Sequence, residues 1–377
     1  DSLAQGSMFL AAATSTHVPI CPEAVDRVLA EVALPLAFAS GARAAATLAA
    51  ASRVLAPALR DALVTLRRSD TLAPLLYVFG GHGGGRGPVS TCHSLKLVAG
   101  SRWQLVPPMP TPRVNCAAAA LGGAVYVVGG NDGRRELGDA TRLDLARGRW
   151  DELLPMPTRR SRCSAASDGR AVYVIGGWND CASALCAAEC LDPGVSGSEQ
   201  RASWAELPPM EVCRAGCAAA FVPGAGVCVA GGWRRGRVLA SAEALDLAKR
   251  CWRRLPDMPS ARSRCAAACV QGQLVVVGGS SGAGELDAIE AFRPCQNAWE
   301  RWPSLGMHRA ACAAASASQA LYVVGGVDVD RPGLHGECHW PPGGERRGVR
   351  EACADGLARL PALPSALSGC AAVAAWP

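Results

Sequence analysis

Six Gly-Gly pairs recur along the chain at nearly constant spacing, and each pair ends a short apolar run. The pairs begin at Gly80, Gly129, Gly176, Gly231, Gly278 and Gly325, and successive first glycines are 49, 47, 55, 47 and 47 residues apart. Runs such as VYVVGG and LYVVGG are rich in β-branched and aromatic residues and stop at glycine, which is typical of β-strands. A period of this length predicts an array of repeated units that bury a core only by packing against one another.

Further markers keep a fixed register after each pair. A tryptophan follows 20 to 27 residues beyond the second glycine: Trp103, Trp150, Trp204, Trp252 and Trp299. Six residues later stands Met109, Met156, Met210, Met258 or Leu305, then after four residues Arg113, Arg160, Arg214, Arg262 or Arg309, and after three more Cys116, Cys163, Cys217, Cys265 or Cys312. A last unit keeps the frame in weaker form with Leu357, Leu363, Leu367 and Cys370.

The alanine-rich segments after these cysteines, such as CAAAA and CAAAC, look helical by intrinsic propensity. Their place in the repeat predicts strands, because each lies between a turn and a strand that ends in Gly-Gly. Inner strands that crowd around an axis need small side chains, and such packing overrides local propensity.

These markers resemble the kelch repeat, in which a strand ends in Gly-Gly, a tyrosine precedes the first glycine by three residues, and a tryptophan follows about twenty residues later. Tyr77, Tyr126, Tyr173 and Tyr322 occupy the tyrosine position. The resemblance covers residues 74–377 and implies an all-β fold, a six-bladed β-propeller of four-stranded blades.

The strand count predicts how the propeller closes. The first unit begins at its second strand, Leu75–Phe79, and one inner strand is left over around Leu367–Trp376. We expect this C-terminal strand to complete the first blade, which removes a free sheet edge. The stretch from Val327 to Gly356 is long and rich in proline and glycine, so blade six is expected to carry an insertion.

Residues 18–68 have a different, helical pattern, and residues 1–17 are interpreted as disordered or as the start of a fragment. Pro22-Glu23, Val28-Leu29 and Leu34-Pro35, followed by an alanine-rich run, resemble an F-box, which implies a Skp-type linker bound through Val28 and Leu29. A remnant of another kelch-associated helical domain and a plain helical extension are the alternatives.

The kelch resemblance also implies where a protein target binds. In similar propellers the in-register arginine and the residue two positions later border the mouth of the central channel, and the residue after each Gly-Gly pair faces the same side. The candidate ligand-binding residues are Arg113, Arg160, Arg162, Arg214, Arg262, Arg264, Arg309, His82, Asn131, Trp178, Trp233 and Ser280. Arginine binds carboxylates and phosphates bidentately, and tryptophan is a frequent interface hot spot, so the predicted ligand is an acidic or phosphorylated peptide.

The first arginine of each repeat has a structural alternative, in which it pairs with neighbouring backbone or acids. By contrast, Arg162, Arg264, Trp178 and Trp233 differ between repeats and are the better candidates for ligand contact.

Composition narrows the class of protein. Many of the 18 cysteines share one repeat position and are interpreted as small buried hydrophobes, which predicts free thiols and a reducing compartment, the cytoplasm or also the nucleus. The net charge of +6 comes with scattered arginines and no dense basic run, so nucleic acid is not an expected partner. The uncharged stretch Ala215–Trp233 fits strand, turn and strand better than a membrane span.

No enzyme motif is evident, and no cofactor or metal is predicted. The tyrosines are used by the repeat, and P-loop and dinucleotide-binding motifs are absent. Two cysteine groups stand out, Cys181, Cys186 and Cys190 in blade three and His335, Cys338, His339 and Cys353 in blade six. Zinc is not expected in the second group, because adjacent Cys338 and His339 rarely bind one ion.

The sequence thus predicts a protein-binding module. Its leading specific interpretation is the substrate-recognition subunit of a cullin-type ubiquitin ligase, joined to the cullin by a Skp-type linker. A scaffold or cytoskeleton-binding kelch protein is the alternative, and a propeller enzyme is a minor one.

Overall fold

The computed structural model consists, in its described part, of β-strands joined by turns and loops. It covers residues 73–83, 87–181, 183–194, 202–328, 331–332, 336–339 and 357–375, and contacts group Pro74–Ala375 together. The predicted helices of residues 18–68, with Val28 and Leu29, lie outside the described residues. Within the described ranges no helix is long and apolar enough to cross a membrane.

The strands follow in chain order. The first half contains β1 (Leu75–Phe79), β2 (His82–Gly83), β3 (Cys92–Lys96), β4 (Gln104–Val106), β5 (Ala117–Leu121), β6 (Ala124–Val128), β7 (Ala140–Asp144), β8 (Arg149–Glu152), β9 (Ser164–Ser167), β10 (Val172–Ile175), β11 (Trp178–Asn179), β12 (Ser183–Ala184), β13 (Ala188–Asp192) and β14 (Ser203–Leu207). The second half contains β15 (Ala218–Val222), β16 (Gly226–Ala230), β17 (Trp233–Arg234), β18 (Arg237–Val238), β19 (Ala242–Asp246), β20 (Cys251–Leu255), β21 (Ala266–Val270), β22 (Gln273–Val277), β23 (Ile289–Arg293), β24 (Ala298–Trp302), β25 (Ala310–Ala317), β26 (Ala320–Asp328), β27 (Arg331–Pro332), β28 (Glu337–His339), β29 (Leu357–Arg359), β30 (Leu367–Ser368) and β31 (Ala371–Ala375).

Five sheets are antiparallel four-stranded blades. Their strand orders are β31-β1-β3-β4, β5-β6-β7-β8, β9-β10-β13-β14, β15-β16-β19-β20 and β21-β22-β23-β24. Short two-stranded ribbons, β11-β12 and β17-β18, project after two of the Gly-Gly pairs. The predicted four-strand repeat is therefore confirmed for five units.

The prediction of six four-stranded blades needs a correction in the last unit. Here a larger, five-stranded sheet forms in the order β25-β26-β28-β29, with β27 paired to β26. Strand β26 runs through Gly325 and Gly326 without ending there, and the pairing of Val327 with Pro332 adds the fifth strand. The irregularity expected from the long 327–356 stretch lies in this sheet.

The C-terminal strand closes the structure as the sequence predicts. Strand β31 pairs antiparallel with β1, in a register that places Ala375 opposite Leu75 and Ala371 opposite Phe79. The inner strands contact one another in the order β5, β9, β15, β21, β25 and β31, and β31 in turn contacts β5. The first sheet thus takes its inner strand from the opposite end of the described chain.

The inner strands are alanine-rich, and the structure confirms that they are strands rather than helices. In β5 and β21 the burial alternates along the strand, which matches the two-residue period of a β-strand. Near the axis the neighbouring sheets come close together, so small side chains pack there where larger ones would clash. Tertiary packing thus decides the conformation of these segments against their helical propensity.

The core is divided among the interfaces between sheets. Among the described residues, six apolar clusters each combine residues from two neighbouring sheets. At the outer rim the indole N–H of each repeat tryptophan donates a hydrogen bond to a backbone carbonyl of the adjacent unit, as in Trp150 to Pro107 (2.9 Å) and Trp252 to Pro208 (2.7 Å). The repeat tryptophan therefore links each blade to its neighbour through a hydrogen bond.

Candidate functional site

A closed circle of backbone hydrogen bonds surrounds the axis. Its members lie two residues after the arginine position of each unit, and we call them the mouth ring: Asn115, Arg162, Gly216, Arg264, Ala311 and Gly369. Each amide N–H donates to the carbonyl of the preceding member, and the circle closes from Asn115 to Gly369, with N–O distances of 2.7–2.9 Å. Because the main-chain N–H groups are used within the circle, hydrogen bonds donated to a partner by the mouth ring must come from its side chains.

Every member of the mouth ring has a left-handed backbone conformation. The φ angles are +61° at the two glycines and +54°, +52°, +55° and +54° at Asn115, Arg162, Arg264 and Ala311. This conformation costs a non-glycine residue about 1–2 kcal/mol. Residues in such strained conformations concentrate at functional sites, so the two arginines are notable.

A small cavity lies on the axis beside the mouth ring. Its lining adds one cysteine per unit, the thiol ring: Cys116, Cys163, Cys217, Cys265, Cys312 and Cys370. The cavity volume is about 80 Å³, which suits a few water molecules rather than a peptide. A protein partner would therefore bind across the mouth and not inside it.

The cysteines of the thiol ring are unreactive because their thiols are protonated. Burial raises the pKa of Cys116 and Cys312 to about 11, and that of Cys163, Cys265 and Cys370 to about 12. Burial also raises the pKa of Cys217. At neutral pH these thiols are protonated, and since the thiolate is the reactive form, the cysteines act here as small packing residues.

The five in-register arginines are buried, so their assignment as ligand contacts is wrong. Arg113, Arg160, Arg214, Arg262 and Arg309 are at most 1% exposed. In each, Nη1 donates to the carbonyl of the first glycine of the Gly-Gly pair, as in Arg160 to Gly176 (3.0 Å). These five arginines therefore have the structural role that was the alternative, because each guanidinium stabilises a Gly-Gly turn and is not accessible to a partner.

Four of these arginines also have a buried carboxylate partner on the third strand of the unit. The N–O distances are 2.6 Å for Arg160–Glu189, 2.6 Å for Arg214–Glu243, 3.0 Å for Arg262–Glu290 and 2.5 Å for Arg309–Glu337. Sequence reasoning missed the glutamates, although each lies 28 or 29 residues after its arginine. That constant offset was the signal that could have found them.

The other two units depart from this ion pair. Thr141 occupies the glutamate position opposite Arg113, whose Nη2 has no hydrogen-bond partner among the residues that the structure describes. Burial lowers the pKa of Arg113. In the first sheet Leu367 and His93 replace the arginine and the acid, so the pair is absent as a whole. Two units thus lack the ion pair and still form their blades. The ion pair is therefore a local stabilising element and is not required for the ring of blades to close.

Arg162 and Arg264 are the two cations that the mouth ring presents to solvent. Both side chains are exposed, and within the described residues neither guanidinium has a hydrogen bond or an ion pair. In the ring they stand on either side of Gly216, which has no side chain to separate them. The predicted position two residues after the buried arginine therefore does line the cavity.

The residues after the Gly-Gly pairs lie next to this ring. Each forms a β-bridge with the residue that precedes a ring member, as in Asn131 with Val114, Trp178 with Ser161, Trp233 with Ala215 and Ser280 with Ser263. His82 pairs with Ser368 and is exposed. Asn131 is engaged in its own turn, where it bonds Gly133 and Glu136 (2.7 and 3.3 Å).

Trp178 and Trp233 pack against each other, with ring centroids 5.6 Å apart and planes tilted by 51°. We call this pair the tryptophan platform. Next to it the β17-β18 ribbon carries Arg234, Arg235 and Arg237, which sequence reasoning did not select. The structure therefore adds a basic ribbon to the candidate site.

One expectation about the cysteines is corrected. Cys186 and Cys213, both partly exposed, form a disulfide between a loop of the third unit and the segment that precedes Arg214. Thirteen other cysteines in the described part of the chain are free, including the exposed Cys181, Cys251 and Cys295. No cluster of potential metal ligands occurs among the described residues, and His335 and Cys353 lie outside them.

A closed arrangement of radial sheets with a polar, exposed end at the axis defines a β-propeller built from repeats. The Kelch motif matches residues 112–157, 159–211, 213–259 and 261–306, which together make up about half of the chain. The chain therefore belongs to the Kelch-repeat family, whose propellers generally bind other proteins. No match was found among curated proteins.

Proposed function

We propose that the propeller binds an acidic or phosphorylated peptide of a partner protein across the mouth ring. The observation that carries this proposal is the pair Arg162 and Arg264, two exposed guanidinium groups at the cavity that have no acidic partner among the described residues. Two parallel N–H donors per guanidinium match a carboxylate or phosphate. The remaining candidates on this face are His82, Asn131, Ser280 and the tryptophan platform, which extend the contact area.

The backbone strain at these two arginines supports a functional role. Gly216 and Gly369 adopt the same conformation at the equivalent positions without a Cβ penalty. Asn115, Ala311 and the two arginines all bear this cost, and of these four residues only the arginines add an exposed cation. What the two arginines contribute at the mouth ring is positive charge that can bind an acidic partner.

Replacing Arg162 and Arg264 by glycine is expected to separate binding from stability. The double variant should lose at least tenfold in affinity for a fluorescein-labelled polyglutamate peptide, because each charged hydrogen bond contributes about 1.5–3 kcal/mol. Its thermal stability should be unchanged or higher, because the left-handed strain is relieved. Fluorescence anisotropy and thermal unfolding measure the two effects.

The matched control is Arg254→Gly on the outer strand β20, whose guanidinium is also exposed but lies in a surface ion pair with Asp257. This variant should retain peptide affinity. Equal affinity for the peptide in the wild-type protein and in the Arg162→Gly/Arg264→Gly variant would contradict the proposal.

A finer proposal concerns the whole chain. The likeness of residues 18–68 to an F-box supports a role as the target-binding subunit of a cullin-type ubiquitin ligase, in the cytoplasm or nucleus. We also interpret the five-stranded sheet as an irregular sixth blade, because its strand β25 supplies Ala311 to the mouth ring and Cys312 to the thiol ring. In this role the chain brings a target close to the ligase and performs no chemistry, which raises effective concentration.

The test of the ligase role is binding of the full chain to a Skp-type linker protein. We expect binding that is lost in Val28→Asp and Leu29→Asp, because a charge on an apolar docking face is desolvated without compensation. Absence of binding in the wild-type chain would reject the ligase role and favour a scaffold. It would leave the peptide-binding proposal intact.

A further inference from the structure

The two tryptophans of the platform differ from the repeat tryptophans in how their indole N–H groups are used. The five repeat tryptophans donate to backbone carbonyls of neighbouring units, and Trp302 donates to Glu300. Among the tryptophans that the structure describes, only Trp178 and Trp233 donate to no protein group. These two tryptophans therefore lack the hydrogen bond that links each repeat tryptophan to the neighbouring blade, and they contact each other across two neighbouring units instead.

The platform is also not required by the repeat. The equivalent positions hold His82, Asn131, Ser280 and Val327, so the fold accepts small or polar residues there. Both indoles are partly exposed and belong to neighbouring ribbons that contact each other through β12 and β17. Two large apolar rings thus meet at the surface of the propeller where smaller residues would serve the fold.

Basic groups flank the platform on two sides. The backbone of Trp178 pairs with Ser161 and that of Trp233 with Ala215, the residues that directly precede the mouth-ring members Arg162 and Gly216. On the other side Trp233 is followed by the β17-β18 ribbon with exposed Arg235 and Arg237. Within the described part of the chain these cations have no acidic partner, and an apolar surface with such a border fits an apolar side chain bordered by acidic ones.

We infer that the tryptophan platform is a subsite for one apolar side chain of the partner, so that the recognised motif is an apolar residue within an acidic segment. This inference rests on the proposed function and adds the sequence requirement of the partner. The acidic groups bind Arg162 and Arg264 and the basic ribbon, the apolar side chain lies on the two rings, and the free indole N–H groups donate to carbonyls of the bound segment. Tryptophan is favoured for such contacts because it combines apolar area with one donor.

The test uses the full chain and two matched sets of fluorescein-labelled octapeptides. In one set a polyglutamate background holds a single leucine at one of the four central positions, and in the other set serine replaces the leucine. We expect the best leucine peptide to bind about tenfold more tightly than its serine counterpart, because part of the leucine surface leaves water. Fluorescence anisotropy gives the affinities.

Two variants assign the effect to the platform. Trp178→Ser and Trp233→Ser place at each site the residue that the fifth sheet already carries as Ser280, and they should abolish the preference for leucine while retaining serine-peptide binding. Trp233→Phe keeps an aromatic ring but removes the N–H, and should retain the preference with lower affinity for both sets. Circular dichroism and thermal unfolding verify that each variant is folded.

The outcomes separate the inference from the proposed function. Equal affinities for leucine and serine peptides, or a leucine preference that survives both serine variants, would overturn the inference and leave acidic-peptide binding in place. Failure of every peptide to bind the wild-type chain would overturn both.

Discussion

Deletion of residues 366–377 is expected to abolish the folded propeller. The deletion removes β31, the inner strand of the first sheet, and leaves β1 with an unpaired edge that pairs readily with other chains. It takes Leu367, Cys370 and Val373 out of the core and opens the mouth ring at Gly369. A typical domain is stable by only about 5–15 kcal/mol, so the simultaneous loss of a strand, part of the core and the ring closure is expected to prevent folding. We expect an aggregated product without a cooperative thermal transition.

The control is a shorter deletion of residues 376–377, which leaves all of β31 in place and should preserve a cooperative transition. Addition of a synthetic peptide with residues 366–377 to the longer truncation should restore part of the folded protein. An unchanged melting temperature in the longer truncation would show that β31 does not hold the ring closed.

Glu243→Ala is expected to be the most damaging single substitution in the regular blades. The Arg214–Glu243 pair is fully buried, and Glu243 also accepts hydrogen bonds from the backbone N–H groups of Glu211 and Val212, at 2.9 and 3.2 Å. Removal of the carboxylate leaves the buried Arg214 cation without its counter-charge. It also removes the acceptor of two part-buried backbone N–H groups. Breaking a buried pair in this way costs about 3–5 kcal/mol in the free energy of unfolding.

Chemical denaturation measures this loss, and Asp257→Ala is the surface control. The Arg254–Asp257 pair is exposed at both side chains, so its loss should cost less than about 1 kcal/mol. The variant Arg214→Leu/Glu243→His copies the pair that the first sheet uses, Leu367 and His93, and should be more stable than Glu243→Ala. A Glu243→Ala loss as small as that of Asp257→Ala would refute the structural role of the buried pair.

The repeat made most of the fold predictable from the sequence. Gly-Gly pairs end strands because the backbone must turn where no side chain fits: at Gly129, with φ +60°, a Cβ would lie 2.5 Å from the carbonyl oxygen of Arg160. Such a requirement leaves a residue-specific mark in every unit. Closure by the last strand could be predicted by counting the strands of each repeat, because the first unit lacks an inner strand and the C-terminal part of the chain has one left over.

The candidate site was less predictable, because a single sequence does not distinguish residues that recur for structural reasons from residues that recur because they bind a ligand. An arginine that recurs in register could serve the turn or the ligand, and only burial separates Arg160 from Arg162, two residues away. The fixed 28- or 29-residue offset to glutamate would have favoured the structural role. Cys186 and Cys213 gave no such clue, since their proximity depends on how two loops pack.

The five-stranded sheet deviates for a reason that lies in the chain itself. Its long β26 continues past the Gly-Gly pair, and an insertion follows before β29. Insertions of this kind lack the repeat markers, so the register is interrupted there and resumes only with Leu357, Leu363, Leu367 and Cys370.

The pairing of β1 with β31 also sets the order of events during synthesis. Synthesis delivers the N-terminal part of the chain first, and the first sheet to emerge lacks its inner strand until Ala371–Ala375 have been made. The nascent protein must therefore hold an incomplete first blade, with the edge of β1 open, while the other sheets form. Chaperone demand and sensitivity to premature stop codons should be concentrated in that interval.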